Sequence, residues 1–128
     1  GADGIHFPEK HIFDADTQKL KEDFILGQSV HSLEMATKGE LLCMDYLIVG
    51  TLFPSKSHPH GRVNGTKIIE DISGKLSVPL IGIGGISSQN CRKVIDSGAS
   101  GVAVIGAISE ADDPRLESQI ILENISVS

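Results

Sequence analysis

The sequence predicts an α/β fold built on parallel strands, and three observations carry that prediction. Five short aliphatic runs bounded by glycine, at 5–7, 24–27, 46–50, 80–83 and 102–104, read as strands. With Ile5, Ile25, Leu47, Leu80 and Val102 as markers, they recur at spacings of 20, 22, 33 and 22 residues. Each spacing accommodates a strand, a helix and two loops, as a parallel connection requires. Glycine accounts for 14 of 128 residues while tryptophan is absent and aromatics are 4%. The core must therefore be built from Ile, Leu and Val in short strands joined by tight turns.

The elements follow in order. Gly1-Ala2-Asp3-Gly4 leads into the first strand just as Gly98-Ala99-Ser100-Gly101 leads into the last, a repeated loop-to-strand entry. Helices are predicted at 14–21, at 32–42 with Ser32 as cap, at 66–76, and at 88–97 with Cys91, Val94 and Ile95 on one face. A final helix follows Asp113-Pro114, an N-cap acid and an N1 proline in their preferred order. Five βα units fit two architectures: a complete flavodoxin-like doubly wound sheet, or the C-terminal five units of an eight-stranded TIM (β/α)8 barrel. In both, ligands bind beyond the carboxyl ends of the strands.

Composition narrows the function classes. A formal charge of -6, from 11 Lys+Arg against 17 Asp+Glu, disfavours nucleic acid, which clustered cations hold. No apolar run reaches the roughly 18 residues of a membrane span, and no signal-like succession opens the chain. The expectation is a soluble, cytoplasmic protein with no membrane or nucleic-acid partner. Cys43 and Cys91 lack metal-ligand spacing and are expected to be buried free thiols. The first residue is Gly1 rather than Met, so the chain reads as cut.

Chemistry-bearing motifs cluster at the strand ends. Ile83-Gly84-Gly85 runs from an apolar strand into paired glycines, whose backbone can approach an oxyanion closely. Ile105-Gly106-Ala107 offers a second small-residue turn at the same end, and adjacent loops of this kind share one phosphate in barrels. The stretch from Gly50 to Arg62 contains Thr51, Ser55, Lys56, Ser57, His58, His60 and Arg62 but no acid, a composition suited to a phosphorylated ligand. Ser29 is a candidate polar contact. Ser29 and His31 are not read as a nucleophile and its base, since the sequence places no acid to orient the histidine. His6, inside the first apolar run, is expected to be a hydrogen-bonded core residue.

These blocks resemble thiamine phosphate synthase and its relative thiazole tautomerase. The resemblance is carried by Gly4-Ile5-His6, Gly27-Gln28-Ser29-Val30-His31-Ser32-Leu33-Glu34, Gly50-Thr51-Leu52-Phe53-Pro54-Ser55-Lys56-Ser57-His58-Pro59, Ile81-Gly82-Ile83-Gly84-Gly85 and Gly98-Ala99-Ser100-Gly101. It implies the barrel, with three N-terminal βα units absent. It also implies coupling of hydroxymethylpyrimidine pyrophosphate to a thiazole phosphate, with release of pyrophosphate whose charge must be stabilised.

By position, the resemblance implies catalytic roles for Ser29, Ser55, Ser57 and His58. It implies substrate contacts for Lys56 and Thr51, and a thiazole-phosphate cradle of Gly84, Gly85, Gly106 and Ala107. A family carboxylate that holds Mg2+ falls at His11, and a family lysine falls at His58, with Lys56 as its expected stand-in. No metal ligand is therefore assigned, although the family implies Mg2+. The tautomerase resembles the chain at Phe7-Pro8-Glu9, but its acid–base histidine falls at Thr51, which cannot exchange protons near neutrality. A third possibility is a non-catalytic phosphate-ligand-binding fragment or regulator. Small phosphorylated substrates are the expected partners. An open set of strands with two unpaired edges also predicts self-association, and hence a homo-oligomer, or marginal stability.

Overall fold

In a computed structural model, which describes residues 1–56 and 59–126, five strands form one wholly parallel sheet. They are β1 (Gly4–Phe7), β2 (Ile25–Val30), β3 (Tyr46–Val49), β4 (Leu80–Ile83) and β5 (Gly101–Ala103). Their spatial order is the chain order, β1-β2-β3-β4-β5. A flavodoxin-like sheet would reverse direction at a switch point and place β1 between β2 and β3. Unidirectional winding has no such point, so the barrel-type arrangement holds and the flavodoxin alternative does not. Register pairs Phe7 with Gln28, Val30 with Val49, Val49 with Gly82 and Ile83 with Ala103. The carboxyl ends therefore share one rim.

Among the described residues six α-helices intervene or follow: α1 (Ala15–Lys19), α2 (Leu33–Leu41), α3 (Lys67–Ser73), α4 (Cys91–Asp96), α5 (Gly106–Ser109) and α6 (Pro114–Ser126). Caps appear where residue chemistry predicts them. Asp14 accepts from the Thr17 amide at 2.8 Å, Ser32 from the Met35 amide at 3.2 Å, and Asp113 from the Leu116 amide at 3.0 Å. The α1 prediction to residue 21 is shortened because its last turn tightens to a 3₁₀ segment at Leu20–Glu22. The short α5 replaces what the sequence suggested was only a turn.

Alternation along each strand separates two faces. Leu26 and Val30 of β2, Leu47 and Val49 of β3, and Leu80 of β4 are buried together with Ala36, Ile69, Ile72, Val94 and Ile121 from the helices. The opposite face carries His6, Ser29, Tyr46, Ile48, Ile81 and Ile83, none of them fully buried. One layer of helices thus covers one side of the sheet.

Three expectations need correction. Strand β2 does not end at Gly27 but runs on to Val30. Gly27 sits mid-strand because the Tyr46 ring lies where its side chain would be. Cys91 is buried as expected, whereas Cys43 is exposed, in a left-handed residue (φ 57°) just beyond α2. His6 is an exposed, hydrogen-bonded residue of the helix-free face and no part of the core.

Leu47 is fully buried and its side chain lies against Gly39 of α2. Leu47→Ala is expected to destabilise the fold by about 2–5 kcal/mol, read as a lowered denaturation midpoint at unchanged denaturant slope.

Candidate active site

The site begins with the way the segment after β3 is laid across the end of β4. The Leu52 amide donates to the Ile83 carbonyl and the Phe53 amide to the Gly84 carbonyl, both at 3.0 Å. Such close approach excludes side chains from the turn. A Cβ on Gly84 would meet Thr51 and the Leu52 amide, and one on Gly85 would meet the carbonyls of Phe53 and Pro54. Both glycines also hold positive φ, 103° and 62°. Asn90 braces the turn from below: its Nδ2 donates to the Gly85 carbonyl at 3.0 Å, and its Oδ1 accepts from the Ser87 amide at 2.9 Å.

The long segment from Gly50 is fastened at both ends. Asn64 and Gly65 amides return to the Thr51 and Leu52 carbonyls at 2.8 and 2.9 Å, and Asn64 Nδ2 donates to the Gly50 carbonyl at 3.1 Å. Among the described residues between these ties, Ser55 and Lys56 lie at the rim. Ser57 and His58 lie outside the described residues.

At this rim a cavity of about 370 Å³ is lined by Thr51, Ser55, Lys56, Gly84, Gly85, Gly106 and Ala107. Seven of the sequence-predicted site residues therefore meet in one space, and the two glycine turns share it. Among the described residues no backbone acceptor takes the amides of Gly84 or Gly85. The first amides of α5 have no acceptor within their own helix. Apolar walls come from Ile83, Ile86 and Val104, and charge from Lys56 and Glu110 among the described lining residues. Lys56 Nζ stands 3.4 Å from Glu110 Oε2. Although the loop itself holds no acid, one arrives from the far end of α5.

Ser29 does not line this cavity. It sits two strands away on the helix-free face, where its Oγ is 2.8 Å from His6 Nε2, while His6 Nδ1 is 3.1 Å from the Tyr46 hydroxyl. The His6 and Tyr46 rings stack with centroids 5.7 Å apart. A neutral imidazole has one donor and one acceptor nitrogen, so it receives a proton from one hydroxyl and gives one to the other. His6 thereby links the Ser29 and Tyr46 hydroxyls. Partial burial of its ring lowers its pKa below 6.5 and favours the neutral form.

An acid does orient His31: Glu9 Oε2 lies 2.8 Å from His31 Nδ1, and Glu9 Oε1 accepts from the His31 amide at 3.2 Å. The sequence reading that no acid was placed there is corrected, because Glu9 reaches across from the loop after β1. Ser29 nevertheless pairs with His6, and no serine–His31 pair forms. His11 packs against the rings of Phe7 and Phe13, with centroids 4.4 and 4.7 Å away, and its Nε2 is 3.4 Å from Thr17 Oγ1. A hard cation prefers oxygen ligands, and no group of His, Cys, Asp and Glu suited to a metal exists among the described residues. The described residues therefore do not fit a Mg2+ site at His11.

Comparison with known proteins decides the family. Residues 1–108 match the family model described as thiamine monophosphate synthase. The chain belongs to the thiamine monophosphate synthase family. It is 36% identical over 129 residues to thiamine-phosphate synthase of Bacillus licheniformis, covering 99% of this chain and 58% of that protein. It is 40% identical to the Chlorobium phaeovibrioides enzyme of that name, covering 98% of this chain and 61% of that one. The solved structure of thiamine phosphate pyrophosphorylase from Pyrococcus furiosus superposes with a TM-score of 0.83 at 31% identity, over 97% of this chain and 59% of that one. The chain thus spans about three-fifths of the length of these family members.

Sequence reasoning missed Glu110, Asn90, Glu9 and Tyr46. Asn90, three residues beyond Ser87, carried a local turn signal. The other three act across long sequence separations that one sequence does not reveal.

Because unfolded His6 takes up its proton near pH 6.5 and the folded residue only below that, folded-state stability is expected to fall as pH drops through 6.5. It should level off below the folded pKa. A ring-resonance NMR titration should place the His6 midpoint below 6.5, and His6→Gln should remove this contribution from the pH dependence of unfolding.

Proposed function

We propose that this chain supplies the phosphate-binding and leaving-group side of a thiamine phosphate synthase site. The reaction is coupling of hydroxymethylpyrimidine pyrophosphate to thiazole phosphate. The observation that carries this reading is the single cavity shared by the Gly84-Gly85 and Gly106-Ala107 turns beneath a loop bearing Thr51, Ser55 and Lys56. In this reading the free amides of Gly84 and Gly85 grip the thiazole phosphate, and the apolar wall of Ile83 and Ile86 seats the ring beside it. Lys56 and the hydroxyls of Ser55 and Ser29 offset charge on the departing pyrophosphate as the carbon–oxygen bond to the pyrimidine methylene breaks. The thiazole nitrogen then forms the new carbon–nitrogen bond. Ser57 and His58, next in sequence after Lys56, are proposed to add a hydroxyl and an imidazole donor. Substrates are thus small phosphorylated molecules. The domain is proposed to be part of a barrel whose three further N-terminal units lie upstream of Gly1, and association of copies through its open edges is proposed with it.

Thiazole tautomerase is the second reading, favoured by the Glu9–His31 pair. A carboxylate-oriented imidazole at the rim supplies the kind of general acid–base group that Thr51 lacks.

One assay set separates the two. The protein is incubated with both substrates, with and without Mg2+, and thiamine phosphate is quantified; the thiazole carboxylate phosphate is offered separately. The synthase reading predicts coupling, and a drop of about tenfold or more for Lys56→Ala, within the range for loss of one charge-stabilising group. Metal-independent tautomerisation abolished by His31→Ala, with no coupling, would instead select the second reading.

A further inference from the structure

The cavity contains its own competitor for an anion. Lys56 and Glu110 are its charged residues among those described, and they face each other at 3.4 Å. Glu110 comes from the residue just past α5, and its Oε1 lies 3.8 Å from where a Cβ on Gly106 would stand. The carboxylate therefore lies beside the Gly106 turn that lines the cavity. It occupies the neighbourhood that an incoming phosphoryl group would take, and it uses the same ammonium.

We propose that Glu110 is a specificity-determining residue of this cavity: a resident counter-ion that an incoming phosphoryl group, of either substrate, must displace from Lys56 before it can be held there. The inference rests on the phosphate-binding reading given above. Its physical logic is exchange. Lys56 is paired before ligand arrives, so a phosphate dianion gains the ammonium only by losing the Lys56–Glu110 contact. Any dianion held at the Gly106 turn also faces the repulsion of a carboxylate a few ångströms away.

The displaced carboxylate has somewhere to go, but not a welcoming place. A shallower depression on the other side of the Gly106 turn shares Gly106, Ala107 and Glu110 with the first. Its remaining acids are Asp112, Asp113 and Glu117. Two of these are engaged, Asp113 with the Leu116 amide and Glu117 with the Ser88 amide at 3.2 Å. No cation lines that depression among the described residues, so no ammonium rewards Glu110 for leaving Lys56.

The consequence is selectivity by binding strength. A small anion, which has only its charge to offer, is held weakly. A ligand whose apolar body also fills the space against Ile83, Ile86 and Val104 gains enough from burial to drive the exchange. The ion pair is exposed, so the effect is expected to be several-fold rather than of many orders.

The test titrates inorganic phosphate into the wild-type protein, Glu110→Gln and Asp112→Asn at low ionic strength, following binding by calorimetry. Asp112→Asn removes the same unit of charge from the neighbouring depression and controls for net charge. Glu110→Gln is expected to tighten phosphate binding about three- to tenfold, and Asp112→Asn to change it less than twofold. Equal affinity of wild type and Glu110→Gln, or an equal gain from Asp112→Asn, overturns the inference while leaving the phosphate cavity standing. Failure of wild type and Glu110→Gln alike to bind phosphate overturns the cavity reading itself, and the inference with it.

Discussion

Everything at the rim depends on how closely the segment after β3 is laid on the end of β4. Two backbone hydrogen bonds, from Leu52 to Ile83 and from Phe53 to Gly84, hold the two chains together where a side chain at residue 84 or 85 would collide with main-chain atoms. The paired glycines are there for that contact first. Their open amides are a by-product of the same geometry: a chain turned into positive φ, with no side chain on the near side, presents N–H groups that no backbone acceptor takes among the described residues. The bland explanation of the Gly-Gly motif, a tight turn, and the functional one, an anion cradle, therefore describe the same atoms.

From that contact the rest of the site follows. The segment after β3 is fixed at its origin and again at Asn64 and Gly65, and of its described residues Ser55 and Lys56 share a cavity with the two turns. Parallel register from β1 to β5 then puts Ser29, His6 and Glu9 on the same rim by strand-end alignment, without any contact to the cavity. The result is two polar centres on one edge of the sheet: the cavity between the β4 and β5 turns, and a hydroxyl–imidazole–phenol array at β1 to β3.

Much of this was legible in the sequence because the signals are local. Strand spacing, glycine turns and caps at Ser32 and Asp113 each involve residues a few positions apart, and each appeared where expected, while Asp14, expected as the first helical residue, caps α1 instead. The end of β2 was misjudged because glycine usually breaks a strand, whereas Gly27 yields its space to a ring nineteen residues away, Tyr46. His6 was assigned to the core because it lies in an apolar run, and period-2 alternation alone cannot say which face the helices cover. Glu9 with His31, and Glu110 with Lys56, were illegible for one reason: each pair joins two loops, and loop-to-loop contacts follow from the closed fold rather than from any spacing within it.

The central claim is that the two glycine-bearing turns act on one phosphoryl group. The most direct measurement is a backbone amide NMR titration with inorganic phosphate. The account predicts that the resonances of Gly84, Gly85, Gly106 and Ala107 shift together and fit one dissociation constant. Shifts confined to one turn, or two turns responding with different constants, would contradict it.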